Sequence, residues 1–242
     1  MSFEKPNPIP ENNELPLNIT ESEGLEHQGS ELAIWQVKAR SPEGQEQLLA
    51  LKQVRRKEFS TEEEMKKSRE FYDFLKDNPS FGKFVPDTLY FKAREISGGE
   101  PHAYKLQKMV EGKRVDELTD DELYGNTEVI SQLSEFTDAA IATIKEGLKT
   151  KGHTPDLYGE KQLLANLLFN PRYSSNIMIA EKPDEKGRQV FFIDTNIQKD
   201  QAGLIGKEYQ RRIGSKLQIH QLNRWKKEIE KRLGTGEEKL AA

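Results

Sequence analysis

The chain contains no cysteine. That absence excludes disulfides, thiolate metal sites and cysteine nucleophiles, and leaves the redox compartment open. Apolar runs are short, and none approaches the ~20 residues needed to cross a membrane. The start, Met-Ser-Phe-Glu-Lys-Pro-Asn-Pro, lacks the apolar core of a signal peptide. The missing targeting signals predict a cytoplasmic location. Hydrophobic residues make up 34% of the 242 and charged residues 32%, so the core is thin and the surface highly charged. The formal net charge of -4 excludes a general polyanion binder. The segment 207–233 is nonetheless rich in Lys and Arg, which reads either as a solvated outer face or as a surface for nucleic acid or an acidic partner.

Pro6, Pro8, Pro10 and Pro16 among Asn and Glu predict a disordered arm over residues 1–16. Strands are expected at 17–20, 32–39 and 48–54, the last two joined by the turn Ser41-Pro-Glu-Gly44. Lys52 sits inside the third run, in Leu-Ala-Leu-Lys-Gln-Val. It is either an outward residue on a half-exposed strand or a cation for phosphate. Ser60-Thr-Glu-Glu-Glu64 opens a helix with capping-box spacing and an acidic first turn. Phe71, Tyr72, Phe74 and Leu75 lie on its apolar side, and Asp77-Asn-Pro79 ends it. A second hairpin spans 88–93 and 102–110, and Glu111-Gly112 breaks its return strand.

From Thr119 the pattern turns helical. Thr119-Asp-Asp-Glu122 has capping-box spacing. Val129, Leu133, Phe136, Ala140, Ile144 and Leu148 recur at helical intervals. A short helix is expected at 161–168, and a last amphipathic one carries Leu217, Leu222, Trp225, Ile229 and Leu233 before Gly234-Thr-Gly236. Between them lie two β-type runs, 177–179 and 190–193, joined by a turn holding Pro183, Asp184 and Gly187. Asn176 opens this hairpin and Asp194 closes it. A carboxamide and a carboxylate then share one end, a donor pair suited to a hard cation such as Mg²⁺. The alternative is that both are ordinary strand-end residues.

This order resembles the protein-kinase-like fold, more closely its aminoglycoside and choline phosphotransferase branch, over roughly residues 19–196. The resemblance implies an α+β fold: an antiparallel-sheet lobe with one inserted helix (17–111), a reduced helical lobe with an embedded hairpin (112–234) and a disordered tail (235–242). It implies that Lys52 holds nucleotide phosphates, with Glu70 as its helix partner and Glu63 or Glu64 as rivals. It places Gln107 at the gatekeeper position and Lys108, Met109 and Val110 where backbone groups meet adenine. ATP and Mg²⁺ are the implied cofactors, Asn176 and Asp194 the metal ligands, and Asp156 in His153-Thr-Pro-Asp the residue that orients a hydroxyl acceptor.

Three features depart from that pattern. Only Gly24 and Gly29 are available for a phosphate-covering loop. Asp194 is followed by Thr195-Asn196 instead of Phe-Gly. Pro171 stands five residues before Asn176, where the family places its catalytic aspartate. The readings are therefore an active phosphotransferase, a pseudokinase working through a protein partner, or a basic-helix module for an acidic partner or nucleic acid.

Overall fold

The computed structural model describes residues 9–10, 18–24, 32–40, 44–54, 61–94, 102–150, 154–155, 157, 174–194 and 207–240. The expected helix at 161–168, Gly29, Ser60 and Asp156 lie outside these residues. The chain divides into two compact units: Met1–Glu70 with Pro86–Met109, and Phe71–Val85 with Val110–Ala242.

The first unit is a six-stranded antiparallel sheet in the order β1-β5-β6-β4-β3-β2. Its strands are β1 (Ile9–Pro10), β2 (Asn18–Gly24), β3 (Leu32–Arg40), β4 (Glu46–Val54), β5 (Thr88–Arg94) and β6 (His102–Lys108). The expected arm thus contributes a short strand, since Ile9 and Pro10 pair with Arg94 and Ala93 at the edge. An edge suits Pro10, which has no N–H to donate. The β3–β4 turn includes Gly44 at φ 84°, a left-handed conformation that glycine adopts without strain. One sheet face carries the apolar core: Trp35, Val37 and Ala39 of β3, Leu49 and Leu51 of β4, Phe91 and Ala93 of β5, and Tyr104 and Leu106 of β6. Strand alternation turns Ala50, Lys52, Lys105 and Gln107 to the other face.

Helix α1 (Thr61–Lys76) follows β4. It buries Phe71, Tyr72 and Leu75. Residues 71–85 belong to the second unit, although the sequence reading grouped them with the sheet. The reason is aromatic packing. Phe81 lies 5.5 Å from both Phe136 and Phe192, and Phe84 meets Phe136 edge-on at 5.3 Å. Arg188 adds a hydrogen bond from Nη1 to the Lys83 carbonyl at 2.7 Å.

The rest of the second unit holds α2 (Asp120–Tyr124), α3 (Thr127–Thr150), α4 (Lys207–Leu240) and a three-stranded sheet, β7 (Gly112–Arg114), β8 (Ile177–Ala180) and β9 (Val190–Phe192). The expected capping box is present: Thr119 Oγ1 accepts from the Glu122 N–H, and the Glu122 carboxylate accepts from the Thr119 N–H at 2.8 Å. Val129, Leu133, Phe136, Ala140 and Ile144 of α3 are buried, as their spacing predicted. Helix α4 packs on α3 and buries Leu222, Trp225 and Ile229. It does not stop at Gly234 but continues to Leu240. A glycine costs a helix about 1 kcal/mol without obliging it to end. Glu111-Gly112 does break the return strand, but Gly112 opens β7 opposite Ala180. A Cβ there would fall 2.1 Å from the Ile179 carbonyl oxygen, so only glycine permits the approach.

The architecture is α+β, an antiparallel sheet with one inserted helix followed by a mainly helical part with an embedded hairpin, as the resemblance implied. Among the described residues, no helix is long and apolar enough to cross a membrane.

Candidate functional site

In the first unit the site is built around Lys52. It lies in the middle of β4, opposite Ile34 of β3 and Lys105 of β6. Lys52 is 9% exposed and Lys105 3%, so neither is the outward-facing residue that a half-exposed strand would allow. The Lys52 ammonium donates to Gln107 Oε1 at 2.9 Å. Gln107 in turn donates from Nε2 to Thr88 Oγ1 at 3.1 Å, and Thr88 donates to the Pro86 carbonyl at 3.1 Å. Lys105 lies 5.5 Å above the Tyr90 ring, within cation–π range. The sheet thus holds two buried cations side by side on one face.

The structure does not bring Glu70 to Lys52. Glu70 is exposed on α1, one residue before buried Phe71 and so about a third of a turn off the buried stripe. Among the described residues it has no ion pair. Glu63 pairs with Lys67 at 2.6 Å, and that neighbour holds its carboxyl below the usual range. The Glu64 side chain lies outside the described set. Gly24 ends β2 opposite Trp35, and the segment between β2 and β3 is likewise outside it.

The connecting segment lies at the boundary between the two units, between Met109 and Val110. Two of its donors are already used. Lys108 N–H donates to the Asp87 carbonyl at 2.9 Å and Met109 N–H to the Leu48 carbonyl at 3.2 Å.

In the second unit, Asn176 and Asp194 lie at the same end of the β8–β9 hairpin. Ile177 is opposite Phe192, and the Ile193 N–H donates to the Asn176 carbonyl at 2.9 Å. Asn176 is 6% exposed and Asp194 half-buried. β9 ends at Phe192, so Asp194 stands just past the pleat instead of following its alternation. A carboxamide oxygen and a carboxylate on two adjacent chain segments fit a hard cation that keeps several waters, as Mg²⁺ does. No cluster of three or more His, Asp or Glu that could hold a metal occurs among the described residues. The Ser174 hydroxyl donates to the carbonyl of buried Leu157. This ties Leu157 to the segment two residues before Asn176.

The sequence did not reveal what holds this hairpin in place. Gln132 of α3 reaches across with both ends of its carboxamide. Its Oε1 accepts from the backbone N–H groups of Gln189 at 2.8 Å and Val190 at 3.3 Å, while Nε2 donates to the Gly187 carbonyl at 2.8 Å. A glutamine on the edge of an otherwise apolar stripe was the available signal. Inside the turn, Asp184 accepts from the backbone N–H groups of Lys186 and Arg188, both at 2.9 Å, and from Arg188 Nε at 2.7 Å. Burial pushes its carboxyl up, but these bonds outweigh burial and leave it below the usual range.

Two cations of the basic segment, Lys226 and Arg232, are engaged in internal pairs. Lys226 contacts Asp138 at 2.6 Å and Glu230 at 3.7 Å. Arg232 contacts Asp120 at 3.5 Å and Glu228 at 3.9 Å, and lies 4.8 Å above the Tyr124 ring. Trp225 is 1% exposed and donates from Nε1 to the Tyr124 hydroxyl at 3.1 Å, so it is a packing residue and offers no stacking platform.

No family model matches the chain, and no curated protein matches it. Among solved structures it is similar to Rad53 residues 1–466 in complex with AMP-PNP, with 14% identity and a TM-score of 0.43 over 86% of this chain. The chain spans 46% of that structure's length.

Proposed function

We propose that this chain is a phosphotransferase-like, Mg-ATP-binding protein of kinase-like fold. The observation that carries this reading is Lys52: a lysine buried mid-strand, its ammonium fixed by Gln107 and a second buried cation beside it. Phosphate oxygens are anions that such a cationic face would hold. Asn176 and Asp194 would hold Mg²⁺, which when bound neutralises charge on the phosphates. The carbonyls of Lys108 and Met109 and the Val110 N–H would face the adenine. Asp156 would orient the hydroxyl of an acceptor.

The test is a thermal-shift titration with Mg-ATP on wild type and Asp194→Ala. A ligand that binds only the folded state raises its stability with the logarithm of concentration. The expected result is a rise in wild type that is weakened in the variant. No rise at millimolar nucleotide would overturn the reading.

One observation favours a second reading, nucleotide binding without transfer. Pro171 occupies the place of the resemblance's catalytic aspartate, and proline can neither accept a proton nor orient a hydroxyl. A pseudokinase would show the Mg-ATP shift but no phosphate release above the Asp156→Asn background. The internal pairing of Lys226 and Arg232 leaves the nucleic-acid reading with the least support.

A further inference from the structure

Helix α4 carries one sign of charge on the side turned away from its buried stripe. At about 100° per residue, Lys216, His220, Arg224 and Lys227 fall within about 80° of arc. All four are exposed. The buried stripe of Ser215, Gln218, Leu222, Trp225 and Ile229 lies roughly opposite. Asn223, on the same arc as the row, is neutral and donates to the Ile219 carbonyl at 2.7 Å. No carboxylate lies on that arc between Lys216 and Lys231. The acids of this stretch, Glu228 and Glu230, flank it on either side. There they approach Arg232 at 3.9 Å and Lys226 at 3.7 Å. Lys216, Arg224 and Lys227 have no ion pair among the described residues.

Solvation alone does not account for such a row. Like charges one turn apart destabilise a helix. The macrodipole favours cations only within the last turn, and this row ends more than three turns before Leu240. Acid was available for mixing, since the chain holds 41 Asp and Glu against 37 Lys and Arg. Helix α1 does mix the signs on its exposed side, where Glu63 pairs with Lys67 one turn on at 2.6 Å.

We infer that this row of α4 is a docking surface for an acidic helix of another protein, one that presents a carboxylate at each turn. Complementary charge sets the choice of such a partner more than the strength of binding. The row from Lys216 to Lys227 spans about 16 Å, and carboxylates on one face of a partner helix repeat at the same ~5.4 Å pitch. A nucleic-acid duplex is wider than the row and would bring phosphates onto Glu228 and Glu230. Buried Trp225 offers it no stacking. A bilayer needs an apolar face beside the cations, and α4 spends its apolar stripe on α3. The inference is independent of the nucleotide reading.

The experiment is fluorescence anisotropy with full-length protein and labelled Ala-rich helical peptides. One peptide carries Glu along a single face, a second has Gln in those places, and a third spreads the same number of Glu around the helix. Wild type should bind the first, more weakly as salt rises, and should bind the other two poorly. The triple variant Lys216→Gln, Arg224→Gln, Lys227→Gln should weaken binding by roughly tenfold, as expected for three exposed charge contacts. The triple variant Lys66→Gln, Arg69→Gln, Lys182→Gln removes the same charge from other exposed sites. It should stay within about twofold of wild type, because distant exposed charges are screened. Circular dichroism confirms that both variants are folded.

Failure of wild type to bind the single-face peptide would overturn the proposal. Equal weakening in the two variants, or equal affinity for the spread peptide, would also overturn it, because net charge alone then explains binding. Tighter binding to a DNA duplex or to phosphatidylserine vesicles than to the single-face peptide would overturn it by assigning the row to phosphate.

Discussion

Lys52 and Lys105 face each other across β4 and β6, and both are buried. Two cations directly opposite destabilise a ladder, by up to about 1 kcal/mol. Lys52→Met keeps most of the stem and removes one charge. Urea unfolding should show a stability within about 1 kcal/mol of wild type, or higher, because replacing buried charge by apolar volume is often neutral or favourable. The thermal shift produced by Mg-ATP should vanish. A protein that loses both stability and the shift would make Lys52 a structural residue.

Gln132→Leu removes the grip of α3 on the β8–β9 hairpin. Two backbone N–H groups and one carbonyl lose their partner. At the usual cost of a buried polar group left unpaired, the loss should be on the order of 2 kcal/mol. Hydrogen exchange should accelerate first at Gln189 and Val190. Since Asp194 closes the same hairpin, Mg²⁺-dependent nucleotide binding should weaken with it.

Two glycines separate strain from collision. Gly44→Ala adds a Cβ in open space at φ 84°, so only the left-handed backbone is penalised, by about 1 kcal/mol. Gly112→Ala drives a Cβ into the Ile179 carbonyl, and backbone cannot yield as a side chain can. That substitution should cost on the order of 3 kcal/mol. Denaturation midpoints of the two variants provide the comparison, and equal losses would contradict the register of β7 on β8.

The hairpin turn should carry an acid-labile share of the stability. Asp184 has a folded-state value below its unfolded one. Its contribution is therefore complete above the ordinary aspartate value of 3.8. It is lost as pH falls through the lower folded value. Stability measured against pH should decline over that window in wild type. In Asp184→Asn the decline should be shallower, from a lower plateau.

Glu122 should titrate with a midpoint of about 2, held down first by the Lys113 ammonium and then by the Thr119 N–H and hydroxyl. Its effect on the start of α2 is present above the ordinary glutamate value and fades as pH falls toward that midpoint. Lys113→Met should return part of the shift, read from the side-chain carboxyl signal by NMR. An unmoved midpoint would assign the shift to the capping box alone.

Local patterns were enough for most of the elements. The alternation around Leu49 and Leu51, the stripe from Val129 to Ile144 and the cap of Thr119 and Glu122 were legible because each depends on residues a few positions apart. The placement of Asn176 and Asp194 at one end of a hairpin was legible for the same reason. The helical phase of Glu70 was not: the spacing from Lys52 to α1 says nothing of the rotation that leaves Phe71 buried and Glu70 exposed.

What the sequence by itself determined was the order of the described strands and helices and the faces they bury. Only the tertiary structure decided who meets whom across long separations. Lys52 finds Gln107 55 residues away, Gln132 finds Gln189 57 residues away, and Phe81 joins Phe136 and Phe192 instead of the sheet unit. Periodicity reports that a face is buried, but the partner is selected by packing and by the need to satisfy each buried polar group, which act through space and leave no mark at short range.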